Sequence, residues 1–388
     1  MSEQRFPGWP YFAEDEISAV AAVLRSGKVN YWTGEEIKLF ENEFADFHDC
    51  RYGIAVANGT LALELALLSL GIGPGDEVIV PCRSFFATAS SVLVRGATPV
   101  FADVELVSQT ISATTIEPLL SNKTKAIIVV HLAGHPGDMD PICKLAQAHN
   151  LFVIEDCAQA HGALYKGRRI GSLGHMAAFS FCQDKIMTTG GEGGMVLTND
   201  AALWQIVRSY KDHGKNFAKV EQAQGCGFRW LHDSVGSNYR LTEMQAAIGR
   251  KQLEKLPQWL KRRQENAALL ATYFGEIPGL SVLKPAKDLC HAYYKYYVYL
   301  ELEKLKSDWD QQRIIQELQQ QQIPVIAGSC PEIYLEQACQ ALAPKAPLPV
   351  ARKIGQMSLM FQVHPTLEEK HLQQVAVAVQ GVLEQAVR

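Results

Sequence analysis

Apolar and polar positions along this chain change period between residues 51 and 200. Short apolar runs of strand length trade places with segments whose apolar residues recur at helical spacing. Strands are predicted at Tyr52 to Ala57, Glu77 to Pro81, Thr98 to Ala102, Lys125 to His131, Leu151 to Glu155, Met176 to Phe181 and Met195 to Thr198. Helices are predicted at Leu61 to Leu70, Phe85 to Val94, Thr114 to Leu120 and Asp138 to His149, with another beginning at Asp200. The strands are apolar on both faces. That pattern predicts an α/β architecture, a three-layer sandwich with a mostly parallel central sheet covered by helices on each side. In such sheets ligands sit beyond the carboxyl ends of the strands.

The flanking segments have a different character. Two amphipathic pieces, about Glu14 to Leu24 and Glu35 to Phe47, form a lead-in joined by the aromatic loop Asn30-Tyr31-Trp32-Thr33-Gly34. That loop reads equally well as a packed connector or as a ligand-binding wall. Residues 211–237 are long and irregular, a length that marks a functional or a mobile segment. A helix follows from Leu241 to about Leu256, and Pro257 predicts a joint because proline interrupts helical hydrogen bonding. Beyond it, predicted helices at Trp259 to Phe274, Ser307 to Gln321 and Leu367 to Val387 accompany β-rich stretches at Tyr293 to Tyr299 and Ile323 to Ala327. The chain is therefore expected to divide into a large unit, 1–256, and a smaller α+β unit, 257–388.

Composition narrows the class. The 388 residues exceed one typical core, and 47% hydrophobic with 20% charged residues describe an ordinary globular protein. A net charge of -4 offers no basic excess for nucleic acid or a membrane surface. The opening Met1-Ser2-Glu3-Gln4-Arg5 lacks a signal-peptide apolar run, so a cytoplasmic location is expected. Nine cysteines without a CxxC pair support neither a disulfide framework nor a zinc site, and no metal is expected.

Candidate chemistry sits at strand ends. The stretch from Phe179 to Gly194 runs from an apolar strand into a turn, one lysine, and glycines around Glu192. A lysine held there can form a Schiff base with a carbonyl, although a lone lysine near glycines is commonly a solvated loop residue. Asn58-Gly59-Thr60 lies between a strand and a helix, where free N–H groups bind phosphate or where Asn58 or Thr60 simply caps the helix. Asp156 ends a strand; it can cap the next helix or pair with a protonated ring nitrogen. Phe85 follows another strand, as a core residue or as a platform for a flat heterocycle. No GxxxxGK[ST] loop exists, which excludes a mononucleotide P-loop. Jointly, a phosphate cradle, an aromatic platform, a carboxylate and an amine match pyridoxal 5'-phosphate group for group.

The stretches Asn58-Gly59-Thr60-Leu61-Ala62-Leu63, Gly73-Pro74-Gly75-Asp76-Glu77-Val78-Ile79-Val80-Pro81, Ser84-Phe85-Phe86-Ala87-Thr88-Ala89, Gly134-His135-Pro136-Gly137-Asp138-Met139-Asp140, Ile154-Glu155-Asp156-Cys157-Ala158-Gln159-Ala160-His161-Gly162, the Lys185 region and Gly236-Ser237-Asn238-Tyr239-Arg240-Leu241 carry a resemblance. Over roughly residues 8 to 385 the chain resembles the DegT/StrS-type sugar aminotransferases, which have the aspartate-aminotransferase (type I) fold of pyridoxal-phosphate enzymes. The resemblance implies that Lys185 holds the cofactor covalently and shuttles protons, and that Asp156 pairs with the pyridine nitrogen. It places Gln159 beside the ring, Phe85 on its face, and Gly59, Thr60 and Ser180 around the phosphate. Asn238 matches a position that reaches the phosphate from the partner subunit, which implies a homodimer with shared sites. The cofactor would alternate between pyridoxal and pyridoxamine phosphate. The donor would be an amino acid, L-glutamate by resemblance, and the acceptor a nucleotide-linked keto-deoxysugar. An aminocyclitol precursor as acceptor, a sugar 3-dehydratase and a non-enzymatic regulator are the alternatives; the dehydratases replace the lysine with histidine. Two departures stand out: Asn58 where the family has serine, and Asp184 directly before the lysine.

Overall fold

The computed structural model describes residues 6–222 and 227–388, so Cys226 and the first five residues lie outside the described residues. All the strands expected between residues 51 and 200 form, and they make one seven-stranded sheet. Its order from one edge is Tyr52–Val56, Gly194–Thr198, Met176–Ser180, Phe152–Asp156, Thr124–Val130, Glu77–Pro81 and Thr98–Ala102. Only Gly194–Thr198 runs against its neighbours; the other paired strands are parallel. The continuous apolar runs follow from this placement. Ile127, Ile128 and Val129 are successive and all fully buried, since helices cover both faces. Parallel strands end on one edge. Val56, Pro81, Asp156 and Ser180 therefore deliver their following residues to the same side of the molecule.

Pro257 is not a joint. One helix runs unbroken from Glu243 to Gly275 with Pro257 inside it. The missing N–H and the ring's steric demand cost helix stability. Packing offsets that cost: the helix lies against Glu14–Ser26, Glu36–Phe47 and Glu369–Ala386, and it buries Leu253, Leu256 and Leu260. A boundary drawn at residue 256 therefore cuts a continuous element.

After this helix the chain forms a four-stranded antiparallel sheet in the order Leu280–Ser281, Tyr296–Leu300, Ser358–Phe361, Val325–Ile326. The strand Ser358–Phe361 and the preceding helix Pro349–Met357 were outside the expected elements. A second small sheet ties the halves together, because Leu289–Cys290 pairs with Leu164–Tyr165, which pairs with Arg168–Arg169. The irregular segment after residue 211 contains a short helix, Phe217–Gln222. Among the described residues, no helix is long and apolar enough to cross a membrane.

Candidate active site

The four strand ends open into one cavity of about 580 Å³. Gly59, Thr60, Phe85, Asp156, Gln159, Ser180 and Lys185 all line it. Asn238 does not. It is exposed beside Asp212 and lines neither this cavity nor its neighbour within the chain.

The cradle is built by the helix Gly59–Ser69. Asn58 is its N-cap, and its Oδ1 accepts from the Leu61 N–H at 2.9 Å. The family departure at this position thus does ordinary capping. The first-turn N–H groups of Gly59 and Thr60 have no intrahelical acceptor, which leaves them for an anion. Gly59 is required here by space: a Cβ would stand 2.6 Å from the Ser180 Cβ.

Asp156 is buried at the end of its strand. The Thr88 hydroxyl donates to its Oδ2 at 3.0 Å and the Ala158 N–H to its Oδ1 at 3.2 Å. Among the described residues it has no ion-pair partner. Burial raises its pKa above the ordinary carboxylate value, and the two hydrogen bonds only partly oppose this. Gln159 is oriented by the Ala133 N–H, which donates to its Oε1 at 2.7 Å and leaves the amide N–H groups as its remaining donors. The adjacent Glu155 is a strut. Its oxygens accept from His131 and from the N–H groups of Gly171, Leu173 and Gly174, so the buried His131, Glu155 and Cys157 cluster has no carboxylate to spare for a metal.

Lys185 sits in the turn that leaves the strand Met176–Ser180. The Lys185 N–H donates to the Cys182 carbonyl at 3.1 Å, and the Trp9 indole donates to the Lys185 carbonyl at 2.8 Å. The glycine-rich return must fold tightly beneath it. At Gly193 φ is 157°, and a Cβ would collide with the Thr189 Oγ1 at 2.1 Å. The Lys185 ammonium stands 4.9 Å from the centre of the Tyr294 ring. The Tyr294 hydroxyl donates to Asp184, and Lys295 stands 3.6 Å from the same carboxylate. Asp184 keeps half its side-chain surface in water, so its desolvation is partial. That desolvation is outweighed by the Tyr294 hydroxyl and by the Lys185 and Lys295 charges, which together hold the carboxyl below its ordinary value.

Tyr294, Lys295 and Thr88 were not singled out from the sequence. A lysine inside the aromatic run Tyr293 to Tyr299 was the available signal. Arg263 holds this run in place, donating to the Tyr293 carbonyl at 3.2 Å and the Tyr294 carbonyl at 3.3 Å. A second cavity of about 480 Å³ adjoins the first through Phe85, Gln159, Lys185 and Tyr294, and continues between Lys295, Ser329, Cys330 and Gln362. The aromatic loop 30–34 and the segment after residue 211 pack on each other. Trp32 stacks on Phe217 with ring centres 5.9 Å apart, and Lys215 lies 4.1 Å over Trp32.

The donor set fits a phosphorylated pyridine aldehyde. A buried carboxylate without a cation suits a protonated ring nitrogen, a side-chain-free helix start suits a phosphate, and a lysine suits the aldehyde.

Comparison with known proteins bears on the whole chain. An aminotransferase from Psychrobacter cryohalolentis, known from its X-ray structure, superposes with a TM-score of 0.95 at 51% identity, covering 98% of this chain and 99% of that one. The dTDP-3-amino-3,4,6-trideoxy-alpha-D-glucose transaminase of Streptomyces venezuelae is 36% identical over 368 residues, 93% of this chain and 90% of that protein. The GDP-perosamine synthase of Escherichia coli O157:H7 is 44% identical over 261 residues, 67% of this chain and 68% of that protein. The model of the DegT/DnrJ/EryC1/StrS aminotransferase family matches residues 10–380. Because that match takes in all three sheets and the residues that line the cavity, the chain belongs to the DegT/DnrJ/EryC1/StrS aminotransferase family.

Proposed function

We propose that this chain is a pyridoxal-phosphate-dependent aminotransferase that moves an amino group from L-glutamate to a keto carbon of a nucleotide-linked deoxysugar. The observation that carries the reading is the convergence of Lys185, Asp156 and the Gly59 cradle on one cavity. The relatives named as a GDP-perosamine synthase and a dTDP-amino-sugar transaminase support the nucleotide-sugar acceptor.

When bound, the cofactor supplies an electron sink for charge developing at the carbon that loses its proton. Lys185 would hold it covalently. Once displaced by the donor's amine, the Lys185 amine would carry the proton between the donor's α-carbon and the cofactor's C4′. A positioned base contributes about 10²–10⁴-fold to such a step. Asp156 would keep the ring nitrogen protonated. A carboxylate desolvated by burial gains more from that contact than one already satisfied by water. Gly59, Thr60 and Ser180 would fix the phosphate, Phe85 the ring face, and Gln159 the ring edge. Asn238 would complete the phosphate site of a partner subunit in a homodimer, in keeping with its exposed position outside its own cavity. The acceptor would lie between a cofactor-binding unit, about 1–256, and a smaller unit, about 257–388, which share the helix Glu243–Gly275 across that boundary.

Absorbance tests the reading. Protein mixed with pyridoxal phosphate should turn yellow, bleach with L-glutamate, and regain colour with a keto-sugar. Borohydride followed by digestion should tag the peptide that carries Lys185. Protein that stays colourless, or a tag on another lysine, would end this assignment. A panel of GDP- and dTDP-linked keto-sugars offered to the bleached form, with products read by mass, identifies the acceptor.

A further inference from the structure

Lys295 is the second amine of the site, and the proposed chemistry does not use it. Its ammonium stands 4.7 Å from the centre of the Tyr294 ring, the same ring that Lys185 approaches to 4.9 Å. Its side chain keeps only 14% of its surface exposed, and it lines the 480 Å³ cavity. Its nearest carboxylate is Asp184, whose Oδ2 lies 3.6 Å away and already accepts from the Tyr294 hydroxyl. A nearly buried ammonium has three donors to satisfy, and one shared oxygen at that distance meets them incompletely. Burial lowers its pKa, with Asp184 opposing and the Arg263 and Lys185 charges adding to the fall. Among the described residues, one shared carboxylate at that distance is the counter-charge of the Lys295 ammonium, which leaves room for a further negative group. Elsewhere this end of the cavity offers neutral groups, among them Gln319, Ser329 and Gln362.

We propose that Lys295 is the subsite for the α-carboxylate of the amino donor, an assignment that rests on the transamination reading. Bonding geometry selects this anion over the diphosphate of a nucleotide sugar. The α-carboxylate is attached to the carbon that bears the reacting nitrogen, so it must lie close to Lys185. A diphosphate hangs from the anomeric carbon, several bonds from a keto carbon at C3 or C4, and must lie farther along the cavity. Lys295 shares an aromatic ring with Lys185, which is the near position. Asp184 weakens the subsite by like-charge repulsion, and its occupied Oδ2 limits that effect.

The test titrates cofactor-loaded protein by calorimetry with glutarate, an unreactive dicarboxylate, and separately with GDP and dTDP. Lys295→Met is expected to weaken glutarate about 10–100-fold, the worth of a charge-assisted hydrogen bond. It should leave the nucleoside diphosphates unchanged. Lys295→Arg should recover much of the glutarate affinity, and Asp184→Asn should tighten it. The L-glutamate concentration that half-bleaches the loaded protein should rise in Lys295→Met by the same factor, while the KM for the keto-sugar holds. Unchanged donor dependence in a folded Lys295→Met protein overturns the subsite while leaving transamination intact. Loss of diphosphate affinity in place of glutarate affinity also overturns it. Wild-type protein that no amino donor bleaches removes the transamination reading, and the subsite with it.

Discussion

The Tyr294 hydroxyl donates a hydrogen bond to Asp184 across 110 residues of chain. The C-terminal half of the protein thereby holds the residue that directly precedes Lys185, and the same tyrosine ring lies beside the Lys185 ammonium. Tyr294→Phe keeps the ring and deletes the donor. We expect kcat to fall about tenfold, as for loss of one charge-assisted bond. Cofactor should still bind. The Asp184 carboxyl, no longer held down by the hydroxyl, should titrate higher, so the acid limb of the kcat profile should move to higher pH. An unmoved limb would mean that the contact is structural only.

Lys185→Ala removes the amine and leaves the backbone hydrogen bonds of its turn in place. Pyridoxal phosphate should still bind, without a borohydride-stable link to the chain. Turnover should drop by at least about 10²–10⁴-fold, the share of a positioned base alone. Near-normal turnover would take Lys185 out of its proposed role.

Asp156→Asn separates catalysis from stability. In the cofactor-free protein, burial raises the Asp156 pKa above its unfolded value. Between those two values the native state binds the extra proton, so stability falls as pH rises through the window. At neutral pH the ionised group is therefore a net cost to the empty fold. The Asn variant should unfold at a higher temperature than wild type without cofactor, yet lose most of its turnover. A lower melting temperature at pH 7 would contradict the electrostatic argument.

Gly59→Ala puts a Cβ 2.6 Å from the Ser180 Cβ at the start of the phosphate cradle. Overpacking of this kind costs about 1–3 kcal/mol. Thermal unfolding should shift down and cofactor affinity should weaken together. Adding Ser180→Gly should recover part of the melting temperature and leave the affinity low, because the 2.6 Å clash goes while the Ser180 Cα stays 3.1 Å from the new Cβ and the hydroxyl is lost. Recovery of both would show that Ser180 gives the phosphate nothing.

Acid should destabilise the protein in part through two buried histidines, His48 and His364, the second close enough to the site to feel Arg263 and Lys295. His48 and His364 are buried, and burial brings each down to about 3 from the ordinary 6.5. The unfolded chain binds protons that the native state refuses between those values, so stability is lost as pH falls from 6.5 toward 3. At pH 5 each contributes a loss of roughly 2 kcal/mol. Denaturant titrations of His48→Gln or His364→Gln across this range should show a shallower pH dependence than wild type. An equal slope in both variants would assign the acid sensitivity to other groups.

What the sequence alone determined is what is encoded over a few neighbouring residues. The strand and helix periods between residues 51 and 200 were legible because burial on one or two faces repeats every two or 3.6 positions. The residues at strand ends were legible for the same reason: Asn58-Gly59-Thr60, Asp156 and Lys185 each interrupt an apolar run at its carboxyl end, and parallel strands bring such ends to one edge. Tertiary structure alone decided the rest. Pro257 is a helix breaker by local rule, yet it sits in an unbroken helix because three neighbouring helices bury Leu253, Leu256 and Leu260. The pairing of Leu289–Cys290 with Leu164–Tyr165 is too short for its own period to announce it. Tyr294 and Lys295 read as ordinary strand residues until the C-terminal sheet carries them to Asp184. Contacts between residues so far apart are settled by the packing of whole elements against one another, and no local window contains that sum.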